Sequence, residues 1–383
     1  MQLADFSTNT TGRLVPTQGC WAFVPNPLPP PLSLSWELVE QLSKADRGLS
    51  ELAGVARTLP NPHLLIEPFI RREAVLSSRI EGTQASLSDL LFYEASGGLT
   101  SPVSDAKEVL NYVWALEYGL KRLQELPISL RLVKEIHGCL MEGVRGENLT
   151  PGEFRRVQNW IGPPGCTIVD ATYVPPPEPE MKEALWELEK YLHAPSNFPP
   201  LIRLALFHYQ FEAIHPFLDG NGRIGRLLLT LLLCAEELLP QPLLYLSAYF
   251  ERHRREYYRL LLAVSQSGEW SEWVIFFLTG VAEQSRDAIS RSRRLLDLWQ
   301  EYRHQFQSAG ASGKLLQLVD DLFAYPAITV GGSATRLDVT PRSAKKNIDK
   351  LVNENILVEA TGRQRNRLFV APEIIKILES PEG

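Results

Sequence analysis

The chain has 383 residues, enough for two or three domains, with 44% apolar and 22% charged side chains, the balance of an ordinary globular protein. No apolar run approaches the roughly 18 residues of a membrane span, and MQLADFSTNTTGR at the start lacks the basic-then-apolar pattern of a secretory signal. A net charge of −6 argues against a general nucleic-acid coat, and four scattered cysteines without a CxxC (Cys20, Cys139, Cys166, Cys234) read as reduced thiols of a cytoplasmic protein.

Residues 1–35 show little periodicity. Pro25-Asn26-Pro27-Leu28-Pro29-Pro30-Pro31 reads as an extended polyproline strap. Ser35 caps a helix that begins at Trp36 and runs to the Leu59-Pro60-Asn61-Pro62 break. A second helix spans 64–80 and stops at Glu81-Gly82. Helical signals return at 89–95. A break at Gly97-Gly98 follows, and Ser104-Asp105 caps a helix reaching Leu123, on which Tyr112, Trp114 and Tyr118 read as core. Residues 128–143 form an amphipathic helix. Its His137 has no second ligand at i+4 and reads as a satisfied histidine, not a metal ligand.

The stretch 152–179 loses the helical period. Residues 166–169 and 171–174 are β-prone and hinge at Asp170, which predicts a short hairpin. Helix returns over 181–193, and prolines break it before 201.

Two apolar helical runs, 201–214 and 227–239, then flank His215-Pro216-Phe217-Leu218-Asp219-Gly220-Asn221-Gly222-Arg223-Ile224-Gly225-Arg226. Pro216 disfavours α geometry before it, so the first helix ends near His215. Gly220 and Gly222 let backbone N–H groups turn inward as an anion nest. The second helix points its positive end at the same place. Asp219 is a hard oxygen ligand suited to a magnesium ion already carried by phosphates. Arg223 and Arg226 lie one turn apart and can both face the loop. A base, a metal ligand, an anion nest and two cations together describe phosphoryl or nucleotidyl transfer. Each part alone has a bland reading as a turn or a solvated helix face; the joint pattern does not.

Beyond it, 249–264 reads as a helix carrying Tyr257-Tyr258, and 270–301 as a long helix with a charged later part. Helical signals at 314–323, 333–337 and 342–353, the last with Thr340 as cap and Pro341 at its first position, precede β-prone 356–359 and 367–370. That order resembles a winged helix-turn-helix. Residues 331–370 hold eight Lys/Arg against four Asp/Glu, a local excess of +4 that leaves about −10 elsewhere. Arg342, Lys345, Lys346, Arg363, Arg365 and Arg367 could touch DNA phosphates; a module for protein contacts or dimerisation is the alternative.

HPFLDGNGRIGR resembles the signature of the Fic family, His-Pro-Phe-x-Asp/Glu-Gly-Asn-Gly-Arg-x-x-Arg, at every fixed position. The resemblance implies a mainly α fold, a Fic-type helical core with a short β-hairpin flap. It implies transfer of AMP from ATP, with Mg²⁺, to a Ser, Thr or Tyr hydroxyl of a target protein, with the chain itself as a candidate target. His215 would be the general base and Asp219 the metal ligand. Gly220, Asn221, Gly222, Arg223, Ile224, Gly225 and Arg226 would bind ATP. Tyr257, Tyr258 and Ser265 fall where family members line the adenine pocket, although Asn is frequent at the position of Ser265. Thr167, Ile168, Val169 and Asp170 would form the flap that docks an extended target segment. Gly152-Glu153-Phe154-Arg155 matches a common family segment, with Arg155 or Arg156 as a buttress.

The same resemblance gives Ser77-x-x-x-Glu81-Gly82 a role as a built-in inhibitory segment, Glu81 pairing with Arg226 in a bidentate salt bridge. Taken alone, the pattern is a helix-ending Glu before a Gly stop. The implied layout is an N-terminal inhibitory region over 1–100, a catalytic core over 101–285, a helical linker over 286–312 and the winged module over 313–383. The expected partners are then ATP, a target protein, DNA and a second copy of the chain in a homodimer, with no membrane. Two other readings stay open. The site could remove AMP or move phosphate, UMP or phosphocholine, or the chain could be a DNA-binding regulator that senses nucleotide.

Overall fold

The computed structural model describes residues 5–6, 11–58, 61–98, 105–144, 146, 148–362 and 367–380. It is mainly α. Fifteen helices and five short strands occupy the described residues, and one continuous apolar core runs through them.

The N-terminal segment is not merely a strap. β1 (Gly12–Thr17) and β2 (Cys20–Pro25) form an antiparallel hairpin whose register pairs Thr17 with Cys20. Gln18 and Gly19 make its two-residue turn, both at positive φ (39° and 78°), the geometry that matches strand twist. A Gln in the first turn position and a proline inside β1 hide this hairpin from pattern reading. Ala22, Phe23 and Val24 of β2 are all buried, so both faces of this strand are covered. Gln210 donates to the Asn26 carbonyl at 2.9 Å and fastens the hairpin to the body.

α1 (Trp36–Thr58) begins where Ser35 Oγ accepts the Leu38 N–H at 3.2 Å. It packs along α11 (Trp270–Ser308), an unbroken 39-residue helix. α2 (His63–Ile80) is buried along most of its length, and α3 (Leu87–Ala95) starts with a capping box between Ser86 and Asp89. Four expected features lie outside the described residues: the Leu59-Pro60 half of the break, the Ser104 cap, and Arg363 and Arg365 of the expected wing.

α4 (Asp105–Arg122) buries Tyr112 completely, but Trp114 and Tyr118 are 49% and 36% exposed. The expectation that all three are core fails on helical geometry: steps of two and six residues leave the face that Tyr112 occupies. α5 (Leu130–Leu140) and α6 (Glu178–His193) complete the near wall. α7 (Pro200–Ile214) and α8 (Asn221–Ala235) form the centre. In α8, Leu227, Leu228, Leu229, Leu231, Leu232 and Leu233 are all at most 3% exposed, so the helix is apolar all round and enclosed by neighbours. Each such leucine contributes about 1.5–3 kcal/mol. This rigid centre carries the polar loop between the two helices.

The helix expected over 249–264 is two, α9 (Ser247–Arg252) and α10 (Arg254–Ser267), with a kink at His253. The C-terminal module comprises α12 (Gly313–Ala324), β3 (Ala327–Thr329), α13 (Val330–Leu337), α14 (Pro341–Asn353), β4 (Val358–Glu359), β5 (Leu368–Val370) and α15 (Pro372–Glu379). Its three strands form an antiparallel sheet in the order β3-β5-β4. The module rests on α2 through α12 and α15. No helix among the described residues is long and apolar enough to cross a membrane.

Candidate active site

α7 ends because His215 leaves the helix for the left-handed region (φ 50°, ψ 62°) immediately before Pro216. His215 Nδ1 lies 3.2 Å from the Glu212 carbonyl, an acceptor, so the ring proton sits on Nδ1. Nε2 has no hydrogen-bond partner among the described residues and keeps its lone pair available. Burial pushes the imidazole down to about 4, with the Glu212 carbonyl, Glu81 and Asp219 opposing it and Arg155 assisting. His215 is therefore neutral near pH 7, the protonation state that a general base needs.

The loop is held by groups inside the protein. Arg155 is fully buried. Its Nε donates to the His215 carbonyl at 3.0 Å, Nη2 to the Pro176 carbonyl at 2.5 Å and Nη1 to the Val157 carbonyl at 3.3 Å. Of the two candidate buttresses it is the one, and the exposed Arg156 is not. Asn159 donates to the Phe217 carbonyl at 2.8 Å. Asn221 accepts the Phe217 N–H at 2.8 Å and donates to the Phe217 carbonyl at 2.9 Å. Its side chain is thus spent on the loop, and what it offers an anion is its backbone N–H.

His137 is the satisfied histidine that the spacing predicted, and it also shapes the site. Gly152 N–H donates to its Nδ1 at 2.9 Å, and its Nε2–H reaches the Asp219 carbonyl at 3.1 Å. The ring stacks on Phe217 at 3.7 Å between centroids. Nothing in the sequence around His137 marks this role, which depends on contacts 80 residues away along the chain.

Gly220 adopts φ 79°, which turns the chain into the first turn of α8. The backbone N–H groups there have the arrangement of an anion site. Asp219 Oδ1 accepts the Gly220 N–H at 2.6 Å and faces Arg223 Nη2 at 3.4 Å. The Asp219 side chain is 39% exposed. Among the described residues no group of three or more His, Cys, Asp or Glu side chains could cage a metal. One accessible carboxylate beside an anion nest fits magnesium that arrives on phosphates. Arg223 is buried between Glu108 (3.5 Å) and Asp219, contacts both long, and its Nε has no partner. Ile224 is buried in the core, and Gly225 lies against Glu212 and His208.

Arg226 and Glu81 meet. Arg226 Nη2 is 2.7 Å from Glu81 Oε1. The pairing is not bidentate, because Arg226 Nε donates to Ser77 Oγ and Nη2 also donates to the Ser77 carbonyl, both at 2.9 Å. The fork is shared between two residues one turn apart on α2 and at its end. Burial alone would raise the Glu81 carboxyl; Arg226, Arg223 and His215 outweigh it and hold it below its ordinary value. Close by, Glu212 Oε1 is buried without a partner, and burial pushes that carboxyl up to about 8.

Tyr257 is buried and its hydroxyl meets His208 Nε2 at 2.8 Å, while Tyr258 beside it is 42% exposed. Ser265 is 2% exposed and its hydroxyl is engaged with Tyr209 at 2.8 Å, so of these three only Tyr258 presents a substantial surface.

The flap expectation needs correction. Thr167, Ile168, Val169 and Asp170 form turns and no strand, with Thr167 Oγ1 donating to Asp170 at 2.8 Å. The only ladder in this stretch among the described residues is a bridge between Ile161 and Tyr173. The β-prone 171–174 segment pairs elsewhere: the Phe23 N–H donates to the Val174 carbonyl at 2.9 Å, and Ala171 and Val174 pack on Ala22. Val174 is thus tied to the N-terminal hairpin and Tyr173 to Ile161, and no strand forms over 167–170. Tyr173 also donates to the Ala213 carbonyl at 2.9 Å, which ties the loop to the end of α7.

Comparison with known proteins agrees with this architecture. The Fic/DOC family N-terminal profile matches residues 39–121 and the Fic/DOC family profile matches residues 127–233. The chain is 27% identical over 219 residues to the protein adenylyltransferase Fic of Drosophila grimshawi, covering 56% of this chain and 41% of that one. It is 32% identical over 134 residues to the protein of the same name from Drosophila virilis, covering 34% and 25%. The matched stretches thus span well under two thirds of those relatives. Among solved structures, a Fic family protein from Desulfovibrio desulfuricans superposes with a TM-score of 0.57 at 19% identity, covering 90% of this chain and 98% of that one. Fic-1 from C. elegans gives 0.51 at 22% identity, covering 68% and 74%. These two likenesses are of fold. The chain belongs to the Fic/DOC family.

Proposed function

We propose that this chain is a protein adenylyltransferase restrained by Glu81. The reaction moves AMP from ATP to a Ser, Thr or Tyr hydroxyl of a target protein. His215 Nε2 takes the hydroxyl proton, the oxygen attacks the α-phosphorus, the bond to the β-phosphate oxygen breaks, and pyrophosphate leaves. Asp219 would hold the Mg²⁺ that neutralises phosphate charge. The backbone of Gly220, Asn221 and Gly222 and the guanidiniums of Arg223 and Arg226 would take phosphate oxygens, and Tyr258 would face the adenine.

The observation that carries this reading is that a neutral imidazole, an anion nest and two buried guanidiniums converge on one loop. The Drosophila relatives bear the same activity in their names. The restraint is supported by the Glu81 carboxylate lying at the start of α8, against Arg226, where a phosphate would otherwise lie. Purified wild type, Glu81→Gly and His215→Ala are incubated with Mg²⁺ and ATP labelled at the α-phosphate, with and without lysate. Label on protein with Glu81→Gly and none with His215→Ala is the expected result. Label in the His215→Ala sample would remove the base from this scheme.

A second reading concerns the C-terminal module. α14 presents Arg342, Lys346 and Lys350 exposed on one short helix, a cationic surface suited to duplex DNA phosphates. Duplex binding that weakens steeply with salt is expected; no binding at low ionic strength would remove it.

A further inference from the structure

A cavity of about 980 Å³ lies far from the phosphate site. It is bounded by His63 at the start of α2 and by Cys234 and Ala235 at the end of α8, whereas Glu81 and Asn221 are at the opposite ends of those helices. The 18-residue α2 alone separates its two ends by about 27 Å. The volume is in the range that small organic ligands occupy.

The walls are apolar, with Ile66 and Ile70 from α2, Leu120 from α4 and Leu232 from α8. The charge around them is one-sided. Glu67, Glu117, Glu125, Glu236 and Glu237 line the space against a single lysine, Lys121. The last turns of α4, α6 and α8 all border it, and helix C-termini carry partial negative charge. Most of these carboxylates have partners: Glu67 pairs with Arg71, Glu125 with Arg122 and Glu236 with Arg203. Glu117 is partly buried and makes no hydrogen bond or ion pair among the described residues. Burial and the neighbouring Glu67 and Glu94 push its carboxyl up to about 7, with Arg71 opposing. A half-buried carboxyl with no ion-pair partner stays ionised near neutral pH only at a cost, which a cationic ligand would relieve.

We propose that this cavity is a binding site for a small organic cation, a primary amine on an apolar body, with Glu117 as its counter-ion. The ammonium takes the place of the missing partner of Glu117, and the apolar part rests on Ile66, Ile70, Leu120 and Leu232. The site is independent of the adenylyl-transfer reading, and its test requires no activity.

The full-length protein is titrated by calorimetry with phenethylamine and with its neutral isostere phenethyl alcohol. Saturable one-to-one binding of the amine, at least tenfold tighter than the alcohol, is expected. Glu117→Gln, which keeps the shape and removes the charge, should weaken amine binding at least tenfold while its thermal midpoint stays at or above that of wild type. Cys234→Phe, which fills the cavity wall without changing charge, should abolish binding. The proposal is overturned by absent saturable amine binding, by equal affinity for the alcohol, or by either variant binding the amine as wild type does.

Discussion

The Glu81 Oε1 atom lies 2.7 Å from Arg226 Nη2 and sits so close to Gly222 that a Cβ there would come within 2.2 Å of it. The carboxylate can enter the first turn of α8 only because that residue has no side chain. The same bare backbone is what an incoming phosphate would need. Under the proposed adenylyl transfer, one glycine would serve two competing anions, and the Glu81–Arg226 contact would set which of them is present.

Because its neighbours lower the Glu81 carboxyl, the pairing contributes stability above the ordinary carboxylate range and loses it as the pH falls through the lowered native value. Glu81→Gln should lower stability at pH 7 by roughly 0.5–1 kcal/mol, a figure reduced for solvent screening at a side chain about one-third exposed. Urea midpoints of the two proteins should converge in acid. A gap that stayed constant from pH 7 to pH 3 would deny the charge a role.

Ser77 supplies two acceptors to Arg226, its hydroxyl and its carbonyl. Ser77→Ala removes only the first. It should cost about 1 kcal/mol in urea unfolding. The freed Nε should also make Arg226 easier to recruit, so AMP transfer should rise, though less than with Glu81→Gly. Unaltered transfer would mean that Glu81 alone holds the guanidinium.

Arg155→Met would leave the carbonyls of His215, Pro176 and Val157 without their buried donor. A loss of about 2–4 kcal/mol is expected. Arg155→Lys should recover little, because an ammonium cannot reach three acceptors arranged for a planar fork. The histidine ring signals in NMR should report a displaced His215 in both. If Lys substituted without loss, charge rather than geometry would be the function of Arg155.

His137→Phe keeps the stack on Phe217 but deletes the bonds to Gly152 and Asp219, at a cost of about 2 kcal/mol. Burial pushes His137 down to about 4, and His215 to the same value. An unfolded chain takes up protons on these rings below about pH 6.5, whereas the native state refuses them until about pH 4, so stability falls as the pH drops across that window. The variant should lose stability less steeply between pH 7 and pH 5 than wild type. Parallel urea-midpoint curves would show that His137 does not titrate on unfolding.

Much of the chemistry was legible along the chain because it is local. Pro216 ends one helix, Gly220 starts the next, and residues 215–226 carry the proposed base, the proposed metal ligand and the two arginines. The α2 stop at Glu81-Gly82 was equally visible. The hairpin expected over 166–174 does not form, because β-propensity says nothing about which backbone the segment will meet: Val174 bonds to Phe23 of the N-terminal hairpin, 151 residues earlier, and Tyr173 bridges to Ile161. Trp114 and Tyr118 were misread because apolar character was weighed without helical phase.

The amino-acid sequence by itself determined the mainly α class, the two helices that flank the polar loop, and the family, since each depends on residues close together in the chain. Only the tertiary structure decided that Glu81 shares Arg226 with Ser77, that Arg155 and His137 hold the loop, and that Ser265 is turned into the protein. Those relationships join positions 56 to 149 residues apart, and burial, not local preference, selects them. A buried guanidinium or imidazole must find acceptors wherever packing brings them, and the identity of those acceptors is a property of the folded core.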